Sequence, residues 1–223
     1  MTLKDQEYRL PMSDVEAQAI EGAALAHLRA VDPVLGRLID AIGPFTLQRD
    51  PSHFYALLSS IVSQQISVRA AATIMARIEA LFPPGELMTA AGVLALGAEP
   101  LRAAGLSGMK TRYVLDLSER AADGRLDLAR LATLDDEAVI TELVQVKGIG
   151  RWTAEMFLIF ALGRLDVLPV DDLGFRAAVK QQYGFDELPT ADQLRAIGEC
   201  WVPYRTVATW YLWRSLGNTP RGT

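Results

Sequence analysis

The sequence predicts an all-α protein. Apolar residues recur every three to four positions through most segments, Gly/Pro pairs and capping residues punctuate them at short intervals, and no set of alternating stretches is long enough to build a sheet. About ten helices with short connections account for the chain.

In order, Ser13-Asp14 opens VEAQAIEGAALAHLRAV, and Asp32-Pro33 caps VLGRLIDAIG, which Gly43-Pro44 stops. FTLQRD shows partial alternation and could be extended. Asp50-Pro51 or Ser52 starts HFYALLSSIVSQ; a short uncharged break at Ser63–Ser67 separates it from QISVRAAATIMARIEALF, ended by Pro83-Pro84-Gly85. AAGVLALGA and MKTRYVLDLSERAADG flank Gly105-Leu106-Ser107-Gly108. Thr133, followed three residues later by a carboxylate, reads as the cap of DEAVITELVQV. RWTAEMFLIFALG is almost wholly apolar and should be buried nearly all round. DLGFRAAVKQQY, TADQLRAIGECW and YRTVATWYLWRSLG complete the chain.

At 223 residues the chain can bury a real core as one large or two small domains. No run approaches the roughly 18 apolar residues of a membrane span. The leader MTLKDQEYRLPMSD lacks a basic start and apolar block, so no secretory signal is expected. Cys200 alone excludes an intrachain disulfide and any four-cysteine zinc or iron–sulfur site, and an intracellular setting is expected. A net charge of −5 argues mildly against a bulk electrostatic binder of nucleic acid, although a local basic face remains compatible with it.

Chemistry concentrates in Leu143–Val179. A helix runs into Val146-Lys147-Gly148-Ile149-Gly150, and another begins at Arg151. Glycines two apart permit positive φ and place no Cβ before an approaching group. The amides of Gly148, Gly150 and Arg151 at a helix start suit an anion, with Lys147 and Arg151 beside them. The residues alone leave open whether this is an anion site or a tight turn with Gly148 as its C-cap. Likewise Leu168-Pro169-Val170-Asp171-Asp172 ends in two aspartates that could simply cap LGFRAAV.

The pattern L-x-x-V-K-G-I-G-x-x-T-A resembles the hairpin of helix–hairpin–helix DNA-binding proteins. The resemblance implies that Lys147, Gly148, Gly150, Arg151 and Thr153 bind a DNA phosphate. It further implies that the carbonyls of Val144, Val146 and Ile149 hold a monovalent cation, Na+ or K+. Hairpin, apolar helix and P-x-D-D loop together resemble the helix–hairpin–helix base-excision glycosylases, in particular the 3-methyladenine type. That resemblance makes Asp172 the catalytic carboxylate and Asp171 a structural neighbour.

Sister branches place a nucleophilic lysine where this chain has Trp152, and some carry a four-cysteine iron–sulfur cluster. Neither is present in the sequence, so a monofunctional glycosylase without that cluster is expected. SSIVSQQISVRA resembles the segment that fills the gap left by a flipped nucleotide, with Gln64 on the lesion side and Gln65 as the wedge. A polar wedge departs from the apolar residue usual in relatives. By the same resemblance Trp152 and Tyr204 line the base pocket, with Met156 and Leu173 where some relatives carry tyrosine. Lys110, after Gly105–Gly108, reads either as a second phosphate contact or as part of a plain turn. Trp201, Trp210, Trp213 and Cys200 read as core, and His27 and His53 show no partner spacing.

The resemblance implies two helical lobes with a cleft between them, residues 1–49 with 166–223 and residues 50–165, the hairpin occupying about 136–161. The implied reaction is hydrolytic release of alkylated purines (3-methyladenine, 7-methylguanine) from duplex DNA by a monomer, leaving an abasic site. A non-catalytic DNA-binding module, a glycosylase of the same fold for another damaged base, and a helical interaction scaffold are the alternatives.

Overall fold

The computed structural model describes residues 14–47, 50 and 52–217. The proposed start at Ser13, part of FTLQRD and the break at Arg49 lie outside the described residues. Those residues form twelve α-helices and two 3₁₀ turns, with no strand among them. The chain divides into two compact units, Met1–Pro51 with Leu162–Gly222, and Ser52–Ala161.

In the first unit, α1 (Asp14–Val31) packs on α2 (Pro33–Ile42), and α2 on the last helix, α12 (Arg205–Ser215). Asp32 starts α2 as the sequence suggests: its Oδ1 accepts from the amides of Val34 at 2.8 Å and Leu35 at 3.2 Å. Its Oδ2 accepts from Tyr183 Oη at 2.6 Å and Trp201 Nε1 at 2.8 Å, so one cap also ties down the half-buried Tyr183 and the buried Trp201. α10 (Leu173–Tyr183) packs on α12, and α11 (Ala191–Gly198) leads into a 3₁₀ turn (Glu199–Trp201) that lies against α1. Residues Thr206 through Trp213 of α12 are all buried, which makes this helix the axis of the unit.

That 3₁₀ turn corrects one expectation. Trp201 enters the core and Cys200, its neighbour, faces solvent, because adjacent residues of a helical turn point about 100–120° apart. Although it is exposed, partial desolvation by the surrounding turn and the nearby Asp32 charge push the Cys200 thiol up, away from thiolate reactivity.

The second unit is built on α3 (His53–Ser63), which packs against α4 (Val68–Glu79), α7 (Gly108–Ala122) and α9 (Arg151–Phe160). α5 (Ala90–Leu96) and α6 (Ala98–Ala103) cover α7, and α8 (Asp136–Leu143) pairs with α9. Ser52 is the cap of α3, its Oγ accepting from the Tyr55 amide. The helix expected over AAGVLALGA stops at Gly97, whose φ of 73° is outside the helical range, and α6, not among the helices expected from the sequence, begins at Ala98. Asp135, rather than Thr133, caps α8: its Oδ1 accepts from the Ala138 amide at 2.8 Å, while the Thr133 hydroxyl closes the preceding 3₁₀ turn on the Arg130 carbonyl. α9 is buried from Thr153 to Ile159, leaving Arg151 and Trp152 exposed at its start.

Candidate nucleic-acid and base-release site

The turn between α8 and α9 is held from below by α7. Gly148 has φ +84°, and a Cβ on it would come within 2.2 Å of the Tyr113 ring, so the turn lies flat on that ring and admits only glycine. Asp116, three residues along α7, is buried and accepts from the Lys147 amide at 3.0 Å and from Arg120 Nε at 3.0 Å, with Lys147 Nζ 3.3 Å away. Burial alone would push its carboxyl up; the Lys147 amide, Arg120 and the Lys147 ammonium outweigh that and hold it below the usual value. The Lys147 amide is therefore spent inside the protein and the Ile149 amide bonds the Val146 carbonyl, so the anion-binding candidates among the turn amides are those of Gly148, Gly150 and Arg151.

Gly150 is the N-cap of α9, and no side chain caps this helix. The helix dipole and the first-turn amides make its start favourable for an anion. Arg151, expected as a phosphate contact, bonds Glu137 through both guanidinium NH groups and Glu155 through Nε at 3.1 Å. These pairs raise its pKa, the Glu137 bond first, and already compensate its charge. Thr153 is buried. The carbonyls of Val144, Val146 and Ile149 end α8 and the turn. The Val146 oxygen accepts the Ile149 amide at 3.1 Å and keeps one lone pair, and hard oxygen donors of this type fit Na+ or K+.

Trp152 stands 44% exposed in the first turn of α9, whereas Met156, one turn on, is 9% exposed and belongs mainly to the core. Gln64 follows α3 and donates from Nε2 to the Gly148 carbonyl at 2.8 Å, which joins the expected wedge segment to the hairpin. Gln65, at the tip of that turn, is exposed with φ 58°, a left-handed conformation unusual for a residue with a side chain. Lys110 does not face outward to a phosphate. It turns in, donating to the carbonyls of Val62 at 2.6 Å and Gln64 at 2.5 Å.

In the other unit, Asp172 is the N-cap of α10 and only 7% exposed. Its Oδ1 accepts from the Phe175 amide at 2.6 Å and from Trp213 Nε1 at 2.8 Å. Two donors on one oxygen fix the plane of the carboxylate. The loop before it is pinned to the start of α12: the Thr206 hydroxyl accepts the Val167 amide at 3.0 Å and donates to the Arg164 carbonyl, and Arg205 pairs with Asp166 at 2.7 Å. Gly174 keeps the carboxylate accessible to Trp213, since a Cβ there would lie 3.2 Å from Asp172 Oδ1. Asp171 is exposed, and Leu173 is 67% exposed. Tyr204 begins α12 half-buried, edge-on to His27 at 5.6 Å, whose Nε2 lies 3.0 Å from the Cys200 carbonyl.

Trp213 read only as core in the sequence, and nothing local marks it as a partner of Asp172, 41 residues away. Tyr113 and Asp116 were likewise silent, although their spacing with Lys110 and Arg120 on one face of α7 is a signal that could have been found.

Two helices joined by a glycine turn, the second without a side-chain cap, are the arrangement expected of a helix–hairpin–helix protein, and a family-model match bears that class out. More particularly, the chain belongs to the HhH-GPD superfamily of base excision DNA repair proteins, whose family model matches residues 58–203. It is 33% identical over 193 residues to DNA-3-methyladenine glycosylase 1 of Schizosaccharomyces pombe, covering 85% of each chain. The crystal structure of a DNA-3-methyladenine glycosidase from Bacillus halodurans superposes with a TM-score of 0.79 at 40% identity, covering 87% of this chain and 89% of that one. The S. pombe 3-methyladenine DNA glycosylase in complex with abasic DNA gives a TM-score of 0.78 at 32% identity, covering 87% of this chain and 97% of that one.

Proposed function

We propose that the protein is a monofunctional DNA glycosylase that flips alkylated purines out of duplex DNA and hydrolyses their N-glycosidic bond, leaving an abasic site. The observation that carries this reading is Asp172, a buried carboxylate oriented by the Phe175 amide and the Trp213 indole on a loop tied down by α12. The relatives named for 3-methyladenine release, one of them solved on abasic DNA, support it.

A purine alkylated on a ring nitrogen is already cationic, so it leaves without prior protonation. As the bond to the sugar lengthens, positive charge builds on the sugar. The Asp172 carboxylate stabilises that charge and orients the water that completes hydrolysis, the proton passing to the carboxylate or to solvent. Because the carboxylate is fixed before the reaction, no reorganisation is needed as charge develops.

Binding and recognition fall to the rest of the set. The amides of Gly148, Gly150 and Arg151 hold a DNA phosphate at the start of α9. Lys147 adds charge there, and Thr153 supports the helix from inside. Bound at the carbonyls of Val144, Val146 and Ile149, a Na+ or K+ ion would supply positive charge beside that phosphate. Gln65 fills the gap left by the flipped nucleotide. Trp152 in one unit and Tyr204 in the other are the aromatic rings offered to a cationic base, a stacking contact worth roughly 1–3 kcal/mol, and Gln64, Met156 and Leu173 are the further recognition residues of this reading. The protein acts as a monomer in this reading.

The test is a base-release assay on DNA methylated with a broad alkylating agent, scoring which purines come free. Wild-type release of 3-methyladenine or 7-methylguanine that Asp172→Asn slows by about 10²–10³-fold is the expected result. Equal release by both proteins would overturn the role of Asp172. Damage-independent binding without release would make the chain a DNA-binding module.

A further inference from the structure

α7 carries a single stripe of residues that reaches both the hairpin turn and the turn after α3. Tyr113 lies under Gly148, and Asp116 holds the Lys147 amide. One turn before Tyr113, Lys110 reaches the other turn, the one after α3. Its ammonium donates to the carbonyls of Val62 and Gln64, oxygens at the end of α3 that the helix itself leaves without partners. A cation at a helix C-terminus also opposes the negative end of the dipole.

The contact is half-buried and specific. Lys110 occupies the first turn of α7, where the Ser107 hydroxyl accepts its amide at 3.2 Å, so its backbone is fixed before its side chain extends. Burial lowers the pKa of its ammonium, as expected for a lysine withdrawn from water toward carbonyls. Downstream of the bonded Gln64 carbonyl comes Gln65, held at φ 58°. A non-glycine residue in that region persists only where its surroundings over-determine it, and such strain gathers at working sites. Lys110 on one side and the Gln64–Gly148 bond on the other are those surroundings.

We propose that Lys110 is a positioning residue for base flipping: by capping α3 through the Val62 and Gln64 carbonyls, it holds Gln65 in the left-handed turn that presents it to DNA, in fixed register with the hairpin. This rests on the glycosylase reading for its biological meaning. The chemistry it demands is local, an ammonium with donors aimed at two carbonyls, which methionine can match in length but not in hydrogen bonding.

The experiment is a double-mutant cycle of Lys110→Met and Gln65→Ala, read by fluorescence of 2-aminopurine placed next to an abasic-site analogue and by single-turnover base release. If Lys110 acts through Gln65, Lys110→Met lowers both signals about tenfold and the double variant is no worse than Gln65→Ala alone. The salt dependence of duplex binding stays as in wild type, because Lys110 contacts no phosphate. A fall of about 0.9 in the slope of log K against log salt would instead mark Lys110 as a phosphate contact and overturn the proposal. So would additive effects, or wild-type signals from Lys110→Met. Matching thermal melts for wild type and Lys110→Met exclude unfolding, and should methionine lower the melting point, Lys110→Arg is run in the same cycle and must restore at least part of the flipping signal. The fluorescence arm needs no bond cleavage, so a wild-type protein that releases no base would defeat the glycosylase reading while leaving the cycle decisive.

Discussion

The backbone of Gly148 lies against the ring of Tyr113 so closely that a Cβ at Gly148 would stand 2.2 Å from the ring. Gly148→Ala must therefore lift the hairpin from α7 and also force a side chain into φ +84°. The left-handed cost alone is about 1–2 kcal/mol, and the overlap adds to it. Urea unfolding should show a loss of at least about 2 kcal/mol, and duplex binding should weaken about tenfold or more.

Gly150 offers the opposite case. Nothing lies within 4 Å of a Cβ there, and its φ of −96° suits any residue. As the N-cap of α9, Gly150→Asp supplies a side-chain acceptor for the first-turn amides and should stabilise the fold by a few tenths of a kcal/mol. The same carboxylate would occupy the place proposed for the phosphate and repel it. Higher melting temperature with lost DNA affinity, measured by thermal melts and fluorescence anisotropy, is the expected combination.

Asp172→Asn retains an oxygen that can accept from Phe175 and Trp213, so folding should survive, while the charge is gone. Loss of a preorganised stabiliser of developing charge costs about 10²–10³ in rate. Single-turnover release should fall by that factor with duplex affinity nearly unchanged. Trp213→Phe keeps the charge and removes one of the two donors that set its plane. It should slow release less, by about tenfold, and lower stability by about 2 kcal/mol, because the lost bond was made to a charged group.

At Gln65 the backbone cost and the function pull in opposite directions. Glycine would relieve about 1–2 kcal/mol of left-handed strain and add about 0.5–1 kcal/mol of unfolded-state entropy. Gln65→Gly should thus be equal to wild type or about 1 kcal/mol more stable in chemical denaturation, yet flip and release base more slowly. A variant that is both less stable and fully active would contradict the wedge assignment.

Asp116 makes the hairpin sensitive to acid. Its folded pKa is depressed, so its bonds to the Lys147 amide and Arg120 contribute stability above the unfolded value of about 3.9. That contribution is present at neutral pH and is lost as pH falls through the ordinary carboxylate range and below it. Melting temperatures from pH 7 to pH 3 should therefore drop less steeply for Asp116→Asn than for wild type, with the variant less stable at pH 7.

What could be read without coordinates was local. Asp32-Pro33 and Ser52 announce helix starts because a cap bonds amides two or three residues away. The glycines of the hairpin are legible for the same reason, since a turn of five residues carries its own conformational demands. Reading fails where two local options compete. Thr133 and Asp135 are both good caps, and the preceding 3₁₀ turn takes Thr133. Gly97 ends the helix read over AAGVLALGA, and the short α6 that follows it goes unread. Cys200 and Trp201 are adjacent, and only packing of the turn decides which one faces inward.

By itself, then, the sequence determined an all-helical chain, a glycine turn opening a helix, an aspartate at the head of another, and the absence of a nucleophilic lysine at Trp152. Those follow from interactions within a few residues. The tertiary structure alone decided that Trp213 orients Asp172, that Asp116 consumes the Lys147 amide, and that Lys110 turns inward to the α3 carbonyls. These pairs are 41, 31 and 46 to 48 residues apart. At such separations chain connectivity no longer restricts which groups meet, and the partner is selected by how the helices pack and by the cost of leaving a buried polar group unpaired.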